Sequence, residues 1–143
     1  MKYASRRNFL KTAALVPFAF KSYATTTAKS KPSLSFSTLG CPDWTFTKIL
    51  DFAAQHGYSG IELRGIQREL DLTKRPEFDT PEHIKATKAL VAAKGLKIVN
   101  LGASAALHHS EPKLRQQNLD EGKRFIDLAQ QLGCPFIRVF PNE

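Results

Sequence analysis

The clearest indication of the fold is the stretch Phe52-Ala-Ala-Gln-His-Gly57, followed by Gly60-Ile-Glu-Leu-Arg64. In it an apolar helical run ends at a glycine, and a short β-type run begins three residues later. Glycine is favoured directly after a helix because it adopts the left-handed conformation at little cost. The same unit recurs at Gly95 and at Gly133, each 38 residues after the preceding glycine. A helix followed by a strand is therefore the repeating element of the chain.

The repeat predicts four strands separated by three helices. The helices begin at Asp43 or Thr45, at Asp79-Thr80-Pro81, and at Ser110-Glu111-Pro112, where capping side chains precede the first turn. Strands that alternate with helices pair in parallel through right-handed crossovers. The predicted strands cover residues 34–39, 60–64, 96–101 and 135–140.

The order β-α-β-α-β-α-β fits both a doubly wound sheet and a (β/α)8 barrel. The fixed period and the absence of a G-x-G-x-x-G run after the first strand favour the barrel. We predict an α/β fold, a partial (β/α)8 TIM barrel in which residues 33–143 form a parallel half-barrel. Because half a barrel leaves two open strand edges, we expect either an incomplete, N-terminal portion of a longer protein or a homo-oligomer. The ending of the sequence directly after a strand favours the incomplete portion.

Residues 1–28 are predicted to be an export signal and linker. The run Ser5-Arg-Arg-Asn-Phe-Leu-Lys11 matches the twin-arginine export signal at every position, and residues 12–20 carry no charge. Nine residues reach about 14 Å as a helix, which is too short for a bilayer core of about 30 Å. We therefore expect the twin-arginine export machinery as a partner, a periplasmic location, and no stable membrane anchor.

The net charge of +8 is concentrated in this signal. Five of the 21 Lys and Arg residues precede residue 25, which leaves 16 against 13 Asp and Glu, a net charge of +3. No basic stripe with interleaved aromatic residues is present. These features argue against nucleic acid as a partner.

Glu62 is the first candidate for chemistry. Barrel enzymes take their working residues from the C-terminal ends of strands and the following loops. Glu62 lies between Ile61 and Leu63, so it faces the barrel interior if these two face the helices. We predict that Glu62 is catalytic, binding a substrate hydroxyl or supporting a metal site. A structural ion pair with Arg64 or Arg138 is the alternative, and both can hold together.

Three other interior positions are predicted to bind substrate. Asn100 and Arg138 are each flanked by two apolar residues, as Glu62 is, and Arg64 follows Glu62 by two positions. Arg138 would donate to a sugar oxygen or hold Glu62 through a two-point ion pair. Asn100 is a candidate hydrogen-bond donor to substrate.

The rim supplies the remaining candidates. His108 is predicted to be catalytic and His109 substrate-binding, because histidine can act as acid, base or ligand; at most one of the two rings is expected to face the site, and a solvated pair is the alternative. Trp44 would stack on a sugar face, or else hold the first helix in place. Glu143 is predicted to bind substrate. The long connection of residues 65–79 is predicted to be a lid or rim with solvated charges.

Five segments between residues 61 and 141 carry a resemblance to one known family, and the resemblance covers about residues 34–143. The chain is similar in them to the sugar phosphate isomerase/epimerase family with a xylose isomerase-like TIM barrel. The resemblance implies a divalent metal (Mn, Mg, Co or Zn) in the full-length protein, held by Glu, Asp, His and Glu on later strands, so no metal ligand is assigned in this chain. The segments are Ile61-Glu-Leu-Arg-Gly65, Asp71-Leu-Thr73, Pro76-Glu-Phe78, Lys97-Ile-Val-Asn-Leu-Gly102 and Ile137-Arg-Val-Phe-Pro141.

The resemblance implies a sugar isomerase or epimerase. In such an enzyme a metal polarises a sugar carbonyl while carboxylates move a proton between adjacent carbons. Export favours an unphosphorylated sugar or sugar derivative as the small-molecule partner, and the chain alone is expected to be inactive. Two alternatives stay open: a non-enzymatic carbohydrate-binding barrel that has lost its metal, and, against the charge balance, an endonuclease IV-like nuclease.

Overall fold

The computed structural model describes residues 32–141, so the predicted export signal and Glu143 lie outside the described residues. Four strands alternate with three helices, and two short 3-10 turns lie between them. No helix within residues 32–141 is long and apolar enough to cross a membrane. The strands are β1 Ser35–Ser37, β2 Gly60–Leu63, β3 Lys97–Ala106 and β4 Ile137–Phe140; the helices are α1 Phe46–Gln55, α2 Pro81–Ala93 and α3 Pro112–Leu132; the 3-10 turns are Thr38–Gly40 and Leu72–Lys74.

The four strands form one parallel sheet in the order β1-β2-β3-β4. Neighbours in this sheet are also neighbours in sequence, as in successive units of a barrel, whereas the strand order of a doubly wound sheet reverses. Gly57, Gly95 and Gly133 have φ angles of +74°, +70° and +71°. Both the predicted parallel half-barrel and the predicted left-handed glycines after the helices are confirmed.

Each helix begins at a capping side chain. Thr45 caps α1, Thr80 caps α2 and Glu111 caps α3, and each accepts a hydrogen bond from a backbone N–H of the first turn, at 3.3, 3.1 and 2.6 Å. Such a cap is worth about 1 kcal/mol. Of the two caps considered for α1, the structure uses Thr45 and leaves Asp43 before the cap.

The hydrophobic core lies between the sheet and the helices. Ile61, Leu63 and Leu101 enter it from the strands, Leu50 from α1 and Phe125 from α3, and all five are fully buried. Burying a side chain of this size is worth about 1.5–3 kcal/mol. Since alternate residues of a strand face opposite sides, the residue between Ile61 and Leu63 faces the inner side of the sheet, as predicted.

β3 continues five residues beyond its predicted end. β2 ends at Leu63, so the second half of β3 runs past its neighbour. Two side chains of α3 bond backbone groups there: Glu121 Oε1 accepts from the N–H of Ser104 at 2.7 Å, and Asn118 Oδ1 from the N–H of Ala106 at 2.6 Å. Buried backbone N–H groups need such partners. The prediction of a loop here is wrong because the partners of this part of β3, which are β4 and two side chains of α3, come from segments later in the chain.

The connection between β2 and α2 is an anchored rim. Ile66, Leu72 and Phe78 are buried in the core. Arg75 makes a two-point ion pair with Glu77, with 3.0 Å for each contact, and these side chains are only 16% and 21% exposed. The prediction that the charges of this segment are solvated is wrong for this pair, because the apolar anchors draw the segment onto the domain. Three buried anchors favour a fixed rim over a lid.

Candidate functional site

The inner face of the sheet carries a polar layer with one residue from each strand: Ser37, Glu62, Asn100 and Arg138. Ser37 is in register with Glu62, Glu62 with Asn100, and Arg138 with Gly102. Asn100 Nδ2 donates to Glu62 Oε1 at 2.8 Å, and Arg138 Nε donates to the same oxygen at 3.2 Å. The structure thus brings three predicted site residues together and confirms the predicted ion pair of Glu62 with Arg138.

A bulge in β3 sets Asn100 against Glu62. The residue before Glu62 pairs with Ile98, whereas Glu62 itself pairs with Asn100, so Val99 is the extra residue. Val99 packs over Gly60, where an added Cβ would lie 2.6 Å from Val99 Cγ1. Bulges commonly redirect a side chain towards a site. Here the bulge completes the hydrogen bond between the amide and the carboxylate.

Glu62 is ionised at neutral pH. Burial raises the pKa of a carboxyl group, because the charged form is less stable away from water. Hydrogen bonds from Ser37, Arg138 and Asn100, with the charge of Arg138, outweigh that effect, and the pKa of Glu62 lies below its ordinary value. Glu62 therefore accepts hydrogen bonds and pairs with cations, and it does not donate a proton.

Arg64 is 9% exposed and lies next to the polar layer. Its Nη1 donates to the carbonyl oxygen of Gly102 at 3.4 Å, and its Nη2 donates to Ser104 Oγ at 3.1 Å. Burial and the charge of Arg138 lower the pKa of Arg64, while the charges of Glu121 and Glu62 act in the opposite direction. The predicted alternative of a direct Arg64–Glu62 ion pair is not formed, because the guanidinium is engaged by β3.

Gly102 and Phe140 shape the space around the two arginines. A Cβ on Gly102 would collide with Cδ of Arg64 and lie 3.0 Å from Nη2 of Arg138. The ring of Phe140 is centred 5.9 Å from Cζ of Arg64 and 5.3 Å from Cζ of Arg138, within cation–π range. Sequence reasoning missed these neighbours, although strand alternation from Asn100 and Arg138 could have found most of them. The residues missed are Ser37, Gly102, Ser104 and Phe140.

Trp44 lies against the first helix. Its ring makes an edge contact with Phe52, with centroids 5.1 Å apart, and Lys48 Nζ lies 4.5 Å from its centroid. Both neighbours belong to α1. These contacts support the alternative in which Trp44 holds that helix in place, and its stacking on a sugar stays a prediction.

His108 and His109 lie in the connection between β3 and α3. Their ring centroids are 4.1 Å apart. The two rings lie side by side at a turn formed by residues 107–108, and the expectation that at most one of them faces the site stays a prediction. His108 is exposed and His109 is half-buried, and the roles assigned to them stay predictions.

The described residues do not fit a metal ion. Within residues 32–141, no group of three or more His, Cys, Asp or Glu side chains is arranged to hold one. Glu62 is already bonded by Asn100 and Arg138. The positive charge of Arg138 beside this carboxylate would also repel a cation.

Comparison with solved structures identifies the fold. The probable 3-DHS dehydratase AsbF involved in the petrobactin synthesis from Bacillus anthracis superimposes with a TM-score of 0.57 and 22% identity, over 76% of this chain and 38% of that chain. A xylose isomerase-like TIM barrel/4-hydroxyphenylpyruvate dioxygenase fusion protein gives a TM-score of 0.55 and 24% identity, over 73% of this chain and 15% of that chain. At these identities the likeness shows the fold alone, and this chain spans less than half the length of either structure. No curated protein sequence matches it.

A family comparison assigns the greater part of the chain. Residues 50–143 match the family described as xylose isomerase-like TIM barrel. The matched segment includes β2, β3 and β4, and with them Glu62, Asn100 and Arg138. The match agrees with the parallel order of the strands. The chain therefore belongs to the xylose isomerase-like TIM barrel family.

Proposed function

We propose that the full-length protein is a sugar isomerase or epimerase that acts on an unphosphorylated sugar or sugar derivative, with this chain supplying part of its binding surface. The observation that carries the proposal is the polar layer on the inner face of the sheet, in which Asn100 and Arg138 bond Glu62. The interior of a barrel is filled mainly by bulky branched apolar residues, so a charged and amide-bearing layer there is unusual. Family membership supports the reaction class, which is that of sugar isomerase- and dehydratase-type enzymes.

The polar layer is poorly explained by stability alone. Withdrawing a carboxylate and a guanidinium from water costs several kcal/mol, and their attraction returns little net stability in a partly buried pair. Glu62 and Arg138 have side chains 23% and 38% exposed, so they are neither fully solvated nor fully enclosed. Contact with a polar substrate gives these positions a function that apolar residues could not supply.

Each member of the layer matches a group on a polyhydroxylated substrate. Ionised Glu62 accepts a hydrogen bond from a hydroxyl, while Asn100 and Arg138 donate to hydroxyl or carbonyl oxygens. Because Asn100 and Arg138 already bond Glu62, the carboxylate is oriented before substrate binds, which lowers the cost of positioning. His108 is the proposed carrier of the proton between adjacent carbons, since histidine exchanges protons readily near neutral pH.

Members of this family commonly depend on a divalent metal. The side chains within residues 32–141 do not fit such an ion. The ligands of the proposed metal are therefore residues outside this range. The roles assigned to Glu62, Asn100, Arg138 and His108 do not involve the metal.

The proposal is tested by exchange of carbon-bound hydrogen. The full-length protein is incubated in D2O with divalent metal salts and a panel of neutral aldoses and ketoses and their uronic acids, and proton NMR follows the hydrogens next to the carbonyl carbon. We expect exchange and interconversion for part of the panel. Glu62→Gln should lower kcat/KM about 10- to 100-fold, because it removes a charged acceptor. Glu82→Gln, the same change at an exposed position of α2, should leave it unaltered. No exchange with any sugar would overturn the proposal.

We also propose that residues 1–28 direct export to the periplasm through the twin-arginine machinery, supported by the run from Ser5 to Lys11. Replacing Arg6 and Arg7 together by lysine should abolish the periplasmic fraction of the full-length protein, measured by cell fractionation and immunoblotting. Lys21→Arg serves as the control, because it preserves charge outside the run. A double variant that still reaches the periplasm would contradict this proposal.

A further inference from the structure

Arg64 and Arg138 share two neighbours on the inner face of the sheet. Both guanidinium carbons lie within 6 Å of the centre of the Phe140 ring, at 5.9 and 5.3 Å. Both side chains also lie over Gly102, where the missing side chain leaves them room. Two cations therefore occupy one small, partly buried region at β2, β3 and β4.

The negative charge near these arginines is limited. Glu62 contacts Arg138 through a single bond from Nε, at 3.2 Å. Arg64 bonds only neutral acceptors, the carbonyl oxygen of Gly102 and the hydroxyl of Ser104, and no carboxylate within residues 32–141 forms an ion pair with it. Two guanidinium groups thus share one paired carboxylate.

Glu121 also acts on Arg64 through its charge, but its position is already fixed. Its Oε1 accepts from the backbone N–H of Ser104 at 2.7 Å. This bond stabilises β3 where β2 has ended. The negative charge of Glu121 therefore lowers the electrostatic cost of burying Arg64, although Glu121 accepts no hydrogen bond from Arg64.

Arg64 and Arg138 retain unused hydrogen-bond donors. A guanidinium has five N–H groups in a planar fork, whereas Arg64 uses two and Arg138 one in the described contacts. No buried side-chain nitrogen or oxygen within residues 32–141 lacks a partner. The guanidinium nitrogens that make none of these bonds therefore reach the surface of the described residues.

We propose that Arg64 and Arg138 together bind a carboxylate group of the substrate, above Gly102 and beside Phe140, so that the substrate is a sugar acid. This inference rests on the proposed function and narrows its substrate class. The charges of Glu62 and Glu121 offset most of the charge of the two guanidiniums, which suits a monoanion better than a phosphate dianion. A planar carboxylate also matches the paired N–H groups of arginine.

A bound carboxylate would also explain why two guanidiniums lie close together, an arrangement that costs free energy in the absence of an anion. Two adjacent cations repel each other strongly where water is partly excluded. Phe140 offsets part of this repulsion through cation–π contact. An anion that contacts both guanidiniums turns the repulsion into two attractions.

The test uses three probes that differ only at carbon 6: glucose, glucuronate and glucose 6-phosphate. Their affinities for the full-length protein are measured by titration calorimetry at low salt. We expect glucuronate to bind at least about 10-fold more tightly than glucose, because a charge-assisted two-point contact is worth more than about 1.4 kcal/mol. Equal affinities for glucuronate and glucose would overturn the inference, and tighter binding of glucose 6-phosphate than of glucuronate would overturn the assignment to a carboxylate.

Variants locate the binding site. Arg64→Gln should remove the preference for glucuronate, while Arg64→Lys, which keeps the charge but loses the fork, should retain part of it. Arg115→Gln, the same change at an exposed position of α3, should retain all of it. Circular dichroism confirms that each variant is folded. A full glucuronate preference in folded Arg64→Gln would refute the site.

The two proposals can fail separately. Deuterium exchange on neutral sugars without any preference for glucuronate would remove the carboxylate site and leave the isomerase or epimerase proposal standing. Glucuronate binding that depends on Arg64, without exchange on any probe, would support the anion site and remove the catalytic proposal.

Discussion

The two faces of the sheet differ in what they contribute to the protein. Along β2, Ile61 and Leu63 are fully buried against the helices, whereas Glu62 and the following Arg64 project onto the inner face and carry opposite charges. Successive residues of a strand face opposite sides of the sheet, so neighbouring positions along β2 lie in the two environments. The outer face supplies apolar burial and so most of the stability of the fold, while the inner face holds charged groups whose burial is offset by a few directed bonds and which are placed to contact a ligand.

The contrast extends to the partners that each face uses. The outer face is held by many weak apolar contacts, in which loss of one side chain removes area and leaves a cavity. The inner face is held by a few directed bonds, such as those of Asn100 and Arg138 to Glu62. Substitutions on the outer face should therefore affect the free energy of unfolding most, and those on the inner face should affect binding and pH dependence.

The largest effect is expected from Leu63→Ala on the outer face. Leu63 has no exposed surface, so the truncation should lower the free energy of unfolding by about 2–5 kcal/mol. Leu90→Ala is the matched control, because Leu90 is 40% exposed on α2; it should cost less than about 1 kcal/mol. Urea unfolding of the full-length protein measures both. Equal losses for the two variants would contradict the assignment of the core to this face.

A smaller loss of stability is expected when a methyl group is added at Gly102, on the inner face. Gly102→Ala places a methyl group against Arg64 and Arg138 and should cost about 1–3 kcal/mol, the usual range for overpacking. Gly122→Ala is the control: its Cβ would lie 4.0 Å from Ala105 Cβ, an ordinary contact. Because alanine favours helices, Gly122→Ala should stabilise by up to about 1 kcal/mol. Urea unfolding distinguishes the two variants. An unchanged free energy of unfolding in Gly102→Ala would show that the two arginine side chains can move away from the methyl group without cost.

Much of the outer face could be predicted from the sequence, because its signals are local. The three glycines with their 38-residue period, the caps at Thr45 and Thr80, and the apolar neighbours of Glu62 each follow from propensity or alternation. They identified the parallel half-barrel and the side on which Glu62 lies. Local signals suffice where the structure repeats.

The inner face could be predicted only in part, because its details depend on residues distant in sequence. Alternation placed Glu62 and Arg138 on one side, but the bulge at Val99 that aligns Asn100 has no local signature. The partners that extend β3, Glu121 and Asn118, come from the next helix. Strand register and hydrogen bonds between side chains and backbone of different elements cannot be predicted from local sequence patterns.

Glu62→Gln should destabilise the protein only in the pH range in which Glu62 is ionised. The pKa of Glu62 in the folded protein lies below its ordinary value of 4.5, so its ionised form contributes stability above the unfolded-state pKa. That contribution is lost as the pH falls through the folded-state pKa. The variant should be less stable by about 1 kcal/mol at pH 7, and this difference should shrink below about pH 4. Unfolding curves measured from pH 3 to pH 7 provide the test, and a constant difference would show that the charge of Glu62 does not contribute.

The smallest effect is expected from Asp51→Asn, the same carboxylate-to-amide change in an ion pair between the helices. Asp51 Oδ1 lies 2.7 Å from Lys94 Nζ, closer than the 3.2 Å between Glu62 and Arg138, but its side chains are 41% and 39% exposed. Water screens such a pair, so the loss should stay below about 0.5 kcal/mol and disappear in high salt. If Asp51→Asn cost as much as Glu62→Gln at pH 7, the distance between the charged atoms rather than their partial burial would determine the strength of these two ion pairs. The ion pair on the inner face would then contribute no more than one on the surface.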